Sequence, residues 1–201
     1  MKKLHTLLAS LFISFGLLSA NIAHAEENPA ELVKNVTDKV LAKLAEDKDR
    51  IGKDKGLVNE YVNEFVLPNF DFGYMSQLVL GKYWRKASAE ERSAFTEEFR
   101  TLLVRTYANS LTNYSDQEVE YLPWRAGSDP DDTKVGVEII PQAGPSIPID
   151  YALHRVDGKW KVYDVSVDGL SLVTNYRRSF GKKAKTDGVA ALIKELQAKN
   201  S

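Results

Sequence analysis

Apolar residues along this chain recur with a helical period in the first half, switch to strict alternation, and return to a helical period at the end. Asn28-Pro29-Ala30-Glu31 sets a capping Asn before a Pro at the first helical position. Leu32, Val36, Val40 and Leu44 then follow at every fourth residue, which predicts an amphipathic helix ending near Glu46. A second helix is predicted from Val58, Tyr61, Val62, Phe65 and Val66, closed by Leu67-Pro68 because the residue before a proline disfavours the helical region. Phe72, Met75, Leu78 and Val79 predict a third, shorter one. Ser88-Ala89-Glu90-Glu91 is a capping box, and Phe95, Phe99, Leu102, Leu103, Thr106, Tyr107 and Leu111 continue from it at spacings of three and four.

Alternation then takes over. Val119 and Tyr121; Val135, Val137 and Ile139; and Ile147, Ile149, Tyr151 and Leu153 each alternate with polar or small residues, the signature of strands with one buried face. Asp157-Gly158 between Val156 and Lys159 is a two-residue hairpin signal. In the fourth strand Trp160 and Val162 fall on one parity and Tyr163, Val165 and Val167 on the other. Either both faces are covered or a bulge near Val162 re-aims the second half. After Asp168-Gly169, Leu172, Val173, Tyr176 and Phe180 predict a helix, and Val189, Leu192, Ile193 and Leu196 a last one. Helices, then an antiparallel meander, then helices predict an α+β fold with helices on one face of a curved sheet that can form an open-mouthed cone.

The start of the chain changes this picture. Lys2 and Lys3, an apolar run from Leu7 to Leu18 and the small-x-small Ala23-His24-Ala25 together read as a secretory signal peptide. The apolar run falls short of the roughly 20 residues a spanning helix needs. The expectation is a signal peptide over 1–25 and a single α+β domain over 26–201, beginning near Glu26. Cleavage removes two of 27 Lys and Arg residues and none of the 28 Asp and Glu, moving the formal charge from −1 to −3. That balance lacks the basic excess of a nucleic-acid binder. There is no cysteine, which excludes a thiol nucleophile, disulfides and thiolate metal sites.

Catalytic motifs are thin. His154 is the one histidine after residue 25 and is predicted on the polar face of its strand. No H-E-x-x-H, phosphate loop or nucleophile elbow occurs. Asp129, Asp131 and Asp132 in Gly127-Ser128-Asp129-Pro130-Asp131-Asp132 only weakly resemble a calcium loop, and no metal site is expected. A cone-shaped hydrolase, isomerase or dehydratase would draw on Asp150, His154, Tyr151 and Asp164, yet Asp150 and His154 fall on the strand face opposite Tyr151. A lipid ligand makes a different demand. At about 0.8 kcal/mol per methylene, a two-chain lipid of roughly 30 methylenes needs on the order of 20 kcal/mol of apolar shelter to leave a bilayer. A rim charge supplies about 1 kcal/mol or less. Arg177, Arg178, Lys182, Lys183 and Lys185 form a basic patch beside the penultimate helix, either a solvated face, a docking surface for an anionic partner, or a rim for a phosphate headgroup. An interaction module without cargo is a third reading that composition fits equally well.

Four segments carry a family resemblance: Phe70-Asp71-Phe72; Leu80-Gly81-Lys82-Tyr83-Trp84-Arg85-Lys86-Ala87-Ser88; Phe99-Arg100 with Leu102-Leu103-Val104-Arg105-Thr106-Tyr107; and Tyr163-Asp164-Val165-Ser166-Val167-Asp168-Gly169-Leu170-Ser171-Leu172-Val173-Thr174-Asn175-Tyr176-Arg177. In this order behind a signal peptide, the chain resembles the MlaC family of periplasmic phospholipid-binding proteins, also known as toluene-tolerance auxiliary proteins. The resemblance implies a nuclear-transport-factor-like sheet with helices around an apolar cavity that takes acyl tails. It implies no catalytic residues and no cofactor beyond the bound phospholipid. The implied partners are an inner-membrane MCE-protein and ABC-transporter complex (MlaFEDB) and an outer-membrane lipoprotein bound to a porin (MlaA), the whole maintaining outer-membrane lipid asymmetry; the carrier itself is expected to be a monomer. By motif, Leu80, Phe99, Leu103, Tyr107, Leu170 and Val173 are the expected pocket residues. Val137, Tyr151, Leu153, Trp160 and Val165 join them by strand position, and Arg177, Arg178 and Lys182 are the expected partner or headgroup rim. Glu in place of Leu170 or Val173 is expected to abolish lipid loading.

Overall fold

The computed structural model describes residues 28–112 and 117–201; the expected signal peptide over 1–25 and the expected start near Glu26 lie outside them. Helix α1 (Pro29–Glu46) begins where Asn28 accepts a hydrogen bond from the Ala30 amide at 2.9 Å, with Pro29 in its first turn. Short helices α2 (Lys48–Ile51) and α3 (Gly56–Tyr61) follow. The chain then widens into a π-helical turn, Val62–Val66, and tightens into a 3₁₀ turn, Leu67–Asn69. Asp71 caps α4 (Phe72–Leu80) by accepting from the Tyr74 amide at 2.8 Å. Gly81 lies at φ +53° beneath the Arg177 guanidinium, a backbone position that suits a residue without Cβ. The predicted capping box opens α5 (Ala89–Thr112): the Ser88 amide donates to Glu91 at 2.9 Å and the Glu91 amide to the Ser88 hydroxyl at 3.1 Å.

Strands β1 (Glu118–Tyr121), β2 (Asp132–Ile140), β3 (Ile147–Val156), β4 (Lys159–Val167) and β5 (Leu170–Ser171) form one antiparallel sheet in chain order. Asp157 and Gly158, at φ +51° and +77°, make the predicted tight hairpin. The β3–β4 register shifts so that Leu153 pairs with Val162 and Ala152 with Asp164, leaving Tyr163 as the extra residue. This bulge brings Trp160, Val162, Val165 and Val167 to one face, alongside Ile149, Tyr151 and Leu153. Helices α6 (Leu172–Thr186) and α7 (Val189–Asn200) complete the chain.

Three apolar clusters result. The first joins α4, α5, α6 and α7 through Met75, Phe95, Phe99, Phe180 and Leu192. The second holds α1, α2 and α3 against α5 through Val40, Leu44, Val58, Val62 and Ala108. The third lays α1 on the sheet, with Val33 against Val135, Val137, Leu153, Trp160 and Val162. Among the described residues, no helix is long and apolar enough to cross a membrane.

Candidate functional site

Where the three clusters meet, the space is not filled. A cavity of about 350 Å³ lies between α1, the 62–69 turns, α5 and the sheet, at the small end of the ~300–1,000 Å³ usual for ligand sites. Val33, Val36, Val40 and Leu41 of α1 form one side, Val62, Val66 and Leu67 of the turns a second, and Leu103, Val104, Tyr107, Ala108 and Leu111 of α5 a third. The sheet supplies Val119, Ile139, Ile149, Tyr151, Val162, Val165 and Val167, and Leu172 closes the wall at the start of α6. None of the described residues bordering it is Asp, Glu, Lys, Arg or His. The pocket opens to solvent, and its lining is apolar apart from Thr37, Asn69, Tyr107 and Tyr151.

The expected pocket residues divide. Leu103, Tyr107, Tyr151 and Val165 stand on the wall. Leu80, Phe99 and Val173 do not, because they belong to the core between α4, α5, α6 and α7, where the Phe99 ring stacks on Phe95 at 5.8 Å and meets Tyr176 edge-on at 5.3 Å. Val137, Leu153 and Trp160 lie on the cavity face of the sheet but are packed under the start of α1 and buried. Leu170 is 74% exposed on β5, and the neighbouring wall position belongs to Leu172. The wall residues of α1 and of the 62–69 turns went unassigned in the sequence, although the four-residue repeat of Val36 and Val40 marked the α1 stripe.

Four lining residues carry a polar group: Thr37, Asn69, Tyr107 and Tyr151. The Asn69 amide nitrogen donates to the Phe65 carbonyl at 2.7 Å. Burial, and then the neighbouring Tyr176 hydroxyl, push the Tyr107 hydroxyl pKa up to about 12. Near Thr37, the Tyr121 hydroxyl donates to Asp38 at 2.6 Å. Burial alone raises the pKa of Tyr151.

The residues of the enzyme reading do not converge. His154 lies on the opposite face of the sheet from Tyr151, its ring stacked on Tyr74 at 4.6 Å and its Nε2 3.0 Å from Asp71 Oδ2. Asp164 is occupied in fastening α6: it accepts from the Ser171 hydroxyl and from the Val173 amide at 3.0 Å. In the 127–132 loop, Asp129 accepts from the Asp131 amide at 2.9 Å and Asp132 from the Tyr163 hydroxyl at 2.8 Å. Among the described residues, no group of three or more acidic or histidine side chains is placed to hold a metal ion. A wider groove of about 540 Å³ on the outer surface is lined in part by Asp71, Glu97, Arg100 and Lys161; open and charged, it gives no shelter to an alkyl chain.

The basic patch is narrower at one point and wider at another than expected. Lys183 is engaged with Asp187 at 2.8 Å and Glu195 at 3.2 Å. Arg177, Arg178, Lys182 and Lys185 are exposed and, among the described residues, form no ion pair. The 3₁₀ turn Gly81–Tyr83 packs on α6, and exposed Lys82, beside Gly81 where the Arg177 guanidinium rests, extends the patch.

Comparison with known proteins adds an independent line. The family model described as MlaC protein matches residues 34–198. The chain is 28% identical over 200 residues to the intermembrane phospholipid transport system binding protein MlaC of Haemophilus influenzae, covering 98% of this chain and 92% of that one. It is 28% identical over 179 residues to the toluene tolerance protein ttg2D of Pseudomonas putida, covering 89% of this chain and 81% of that one. Among solved structures it superimposes with a TM-score of 0.78 on a phospholipid-binding protein from Ralstonia solanacearum in complex with a phospholipid. That protein is 32% identical, and the match covers 85% of this chain and 96% of that one.

Proposed function

The chain belongs to the MlaC family, and on that premise we propose that it is a periplasmic phospholipid carrier, not an enzyme, that shelters acyl tails in the cavity between α1, α5 and the sheet. The observation that carries the reading is the charge-free wall. A carrier must return most of the roughly 20 kcal/mol that two alkyl chains lose on leaving a bilayer, and apolar surface alone supplies energy on that scale. The phospholipid held by the Ralstonia solanacearum relative is consistent with that cargo.

Leu103, Tyr107, Tyr151 and Val165, with the α1 and 62–69 residues, are the proposed tail contacts. The present volume is small for two chains, so loading requires the walls to part. The π-helical turn at Val62–Val66 is the natural place to yield, since such turns hold a wider, less regular backbone than the α-helices beside them. Arg177, Arg178 and Lys182 are the proposed contact for an anionic partner or headgroup. The carrier reading extends to exchange with an inner-membrane MCE-protein and ABC-transporter complex and an outer-membrane lipoprotein complex, keeping outer-membrane lipid asymmetry. Incubating the lipid-free mature protein with vesicles holding isotope-labelled phospholipid, then separating protein from vesicles, tests it. Label should elute with the protein and pass on to acceptor vesicles. Label that stays wholly with the vesicles would reject the carrier reading.

A further inference from the structure

Tyr151 occupies the middle of the middle strand, paired with Val135 on one side and Val165 on the other, and its side chain borders the cavity. Of the other polar side chains there, Asn69 donates to the Phe65 carbonyl and Tyr107 is 38% exposed, whereas Tyr151 is enclosed, so that burial raises its pKa. Among the described residues, the Tyr151 hydroxyl has no hydrogen-bond partner. Buried Tyr61 is satisfied, donating to Asp47, and Tyr121 and Tyr163 donate to Asp38 and Asp132. Leaving a phenol unpaired in an apolar site is unfavourable, and a tyrosine in such a place ordinarily finds an acceptor. Phenylalanine would line the cavity equally well without that cost.

The chemistry of the wall narrows what the acceptor is. A phosphate oxygen would bring a negative charge among residues with no cation to meet it. Alkyl chains offer no acceptor at all. The one neutral, strong acceptor that a diacyl lipid carries at the root of its tails is the ester carbonyl. The remaining free polar atom on the wall, the Asn69 side-chain oxygen, only accepts and so does not compete for it.

Resting on the carrier reading, we propose that the Tyr151 hydroxyl donates a hydrogen bond to an acyl-ester carbonyl of the bound lipid, fixing the depth of the tails and selecting ester-linked over ether-linked lipids. The glycerol end then lies over the centre of the sheet, and the phosphate stays beyond the charge-free wall.

The test is competition between a diester and a diether phospholipid with the same headgroup and chain length, offered in equal amounts in vesicles to the lipid-free protein. Bound lipid is quantified by mass spectrometry. The native protein should take up the diester in about 3- to 10-fold excess, the range that one neutral hydrogen bond confers. Tyr151→Phe should bind a comparable total with a ratio near one, and Tyr163→Phe, which removes a hydroxyl outside the cavity wall, should keep the native ratio. No ester preference in the native protein, or a preference retained in Tyr151→Phe, would overturn the proposal. Should Tyr151→Phe fold poorly, the infrared carbonyl band of ester-13C-labelled lipid bound to the native protein decides: a band shifted down from its position in hydrocarbon supports the bond, and an unshifted band overturns it. Uptake of neither lipid would instead bring down the carrier reading and this proposal with it.

Discussion

The Tyr121 hydroxyl donates a 2.6 Å hydrogen bond to Asp38 Oδ1, tying the first strand of the sheet to the first helix across one side of the cavity. Lys34 closes the arrangement, bonded to the same carboxylate and held 4.8 Å over the Tyr121 ring. Hydrogen bonds from Lys34 and then from Tyr121 hold the Asp38 carboxyl below the usual carboxylate range. A carboxyl lowered in the folded state contributes stability that is fully present above its unfolded pKa, about 3.9. That contribution disappears as pH falls through the folded value. The thermal midpoint should therefore be flat with respect to Asp38 above about pH 5 and fall below about pH 4. Asp38→Asn should be less stable than the native protein at neutral pH and lose less on acidification. Calorimetry from pH 2 to 7 checks this, and parallel curves for the two proteins would contradict it.

A charge on the α1 wall should empty the cavity without unfolding the protein. Val36 is half-buried and borders the void, so Val36→Glu places an unpaired carboxylate where tails would lie. Lipid content should fall at least 10-fold while the far-ultraviolet circular dichroism is kept. Leu170→Glu should load normally, because Leu170 points into solvent. Val173→Glu should fail by unfolding instead, since Val173 is buried among the helices.

The start of α6 hangs on Asp164, which accepts from the Ser171 hydroxyl and the Val173 amide while Ser171 itself caps the helix through the Thr174 amide at 3.0 Å. Asp164→Ala should cost about 2 kcal/mol in chemical denaturation, the scale of losing a charged cap and its hydrogen bonds. It should also raise hydrogen exchange at Leu172 to Thr174 before other sites. Unchanged exchange there would show that α6 does not depend on this carboxylate.

How much of this could be read in the sequence follows from the range of the interactions. The capping box at Ser88 and the Asp157-Gly158 hairpin are written in a few adjacent residues and both stand in the structure, while of the two readings of the fourth strand the structure takes the bulge near Val162. Periodicity assigns a face to α5 but not what that face meets. Phe99 and Leu103 lie one turn apart on it, yet Phe99 packs against Tyr176 while Leu103 borders the void. The same limit hid that Leu172, and not Leu170 or Val173, borders the cavity, because a helix's phase against distant walls is not a local property. The Asp71–His154 contact joins positions 83 residues apart, and only the folded chain brings them together.

The unpaired cations of α6 should govern delivery and leave loading alone. Charge reversal at Arg177, Arg178 and Lys182 together should leave lipid content unchanged and slow transfer to anionic acceptor vesicles several-fold at low salt. The difference should shrink as ionic strength rises, because exposed charges are screened within about 10 Å at 0.1 M salt. A rate that is insensitive to both charge and salt would remove the patch from the mechanism.

The most direct measurement is organic extraction of the mature protein purified from its native compartment, with quantitative mass spectrometry of what it holds. A cavity made for acyl tails should yield close to one phospholipid per protein. A protein that is folded, monodisperse and free of lipid would contradict the account.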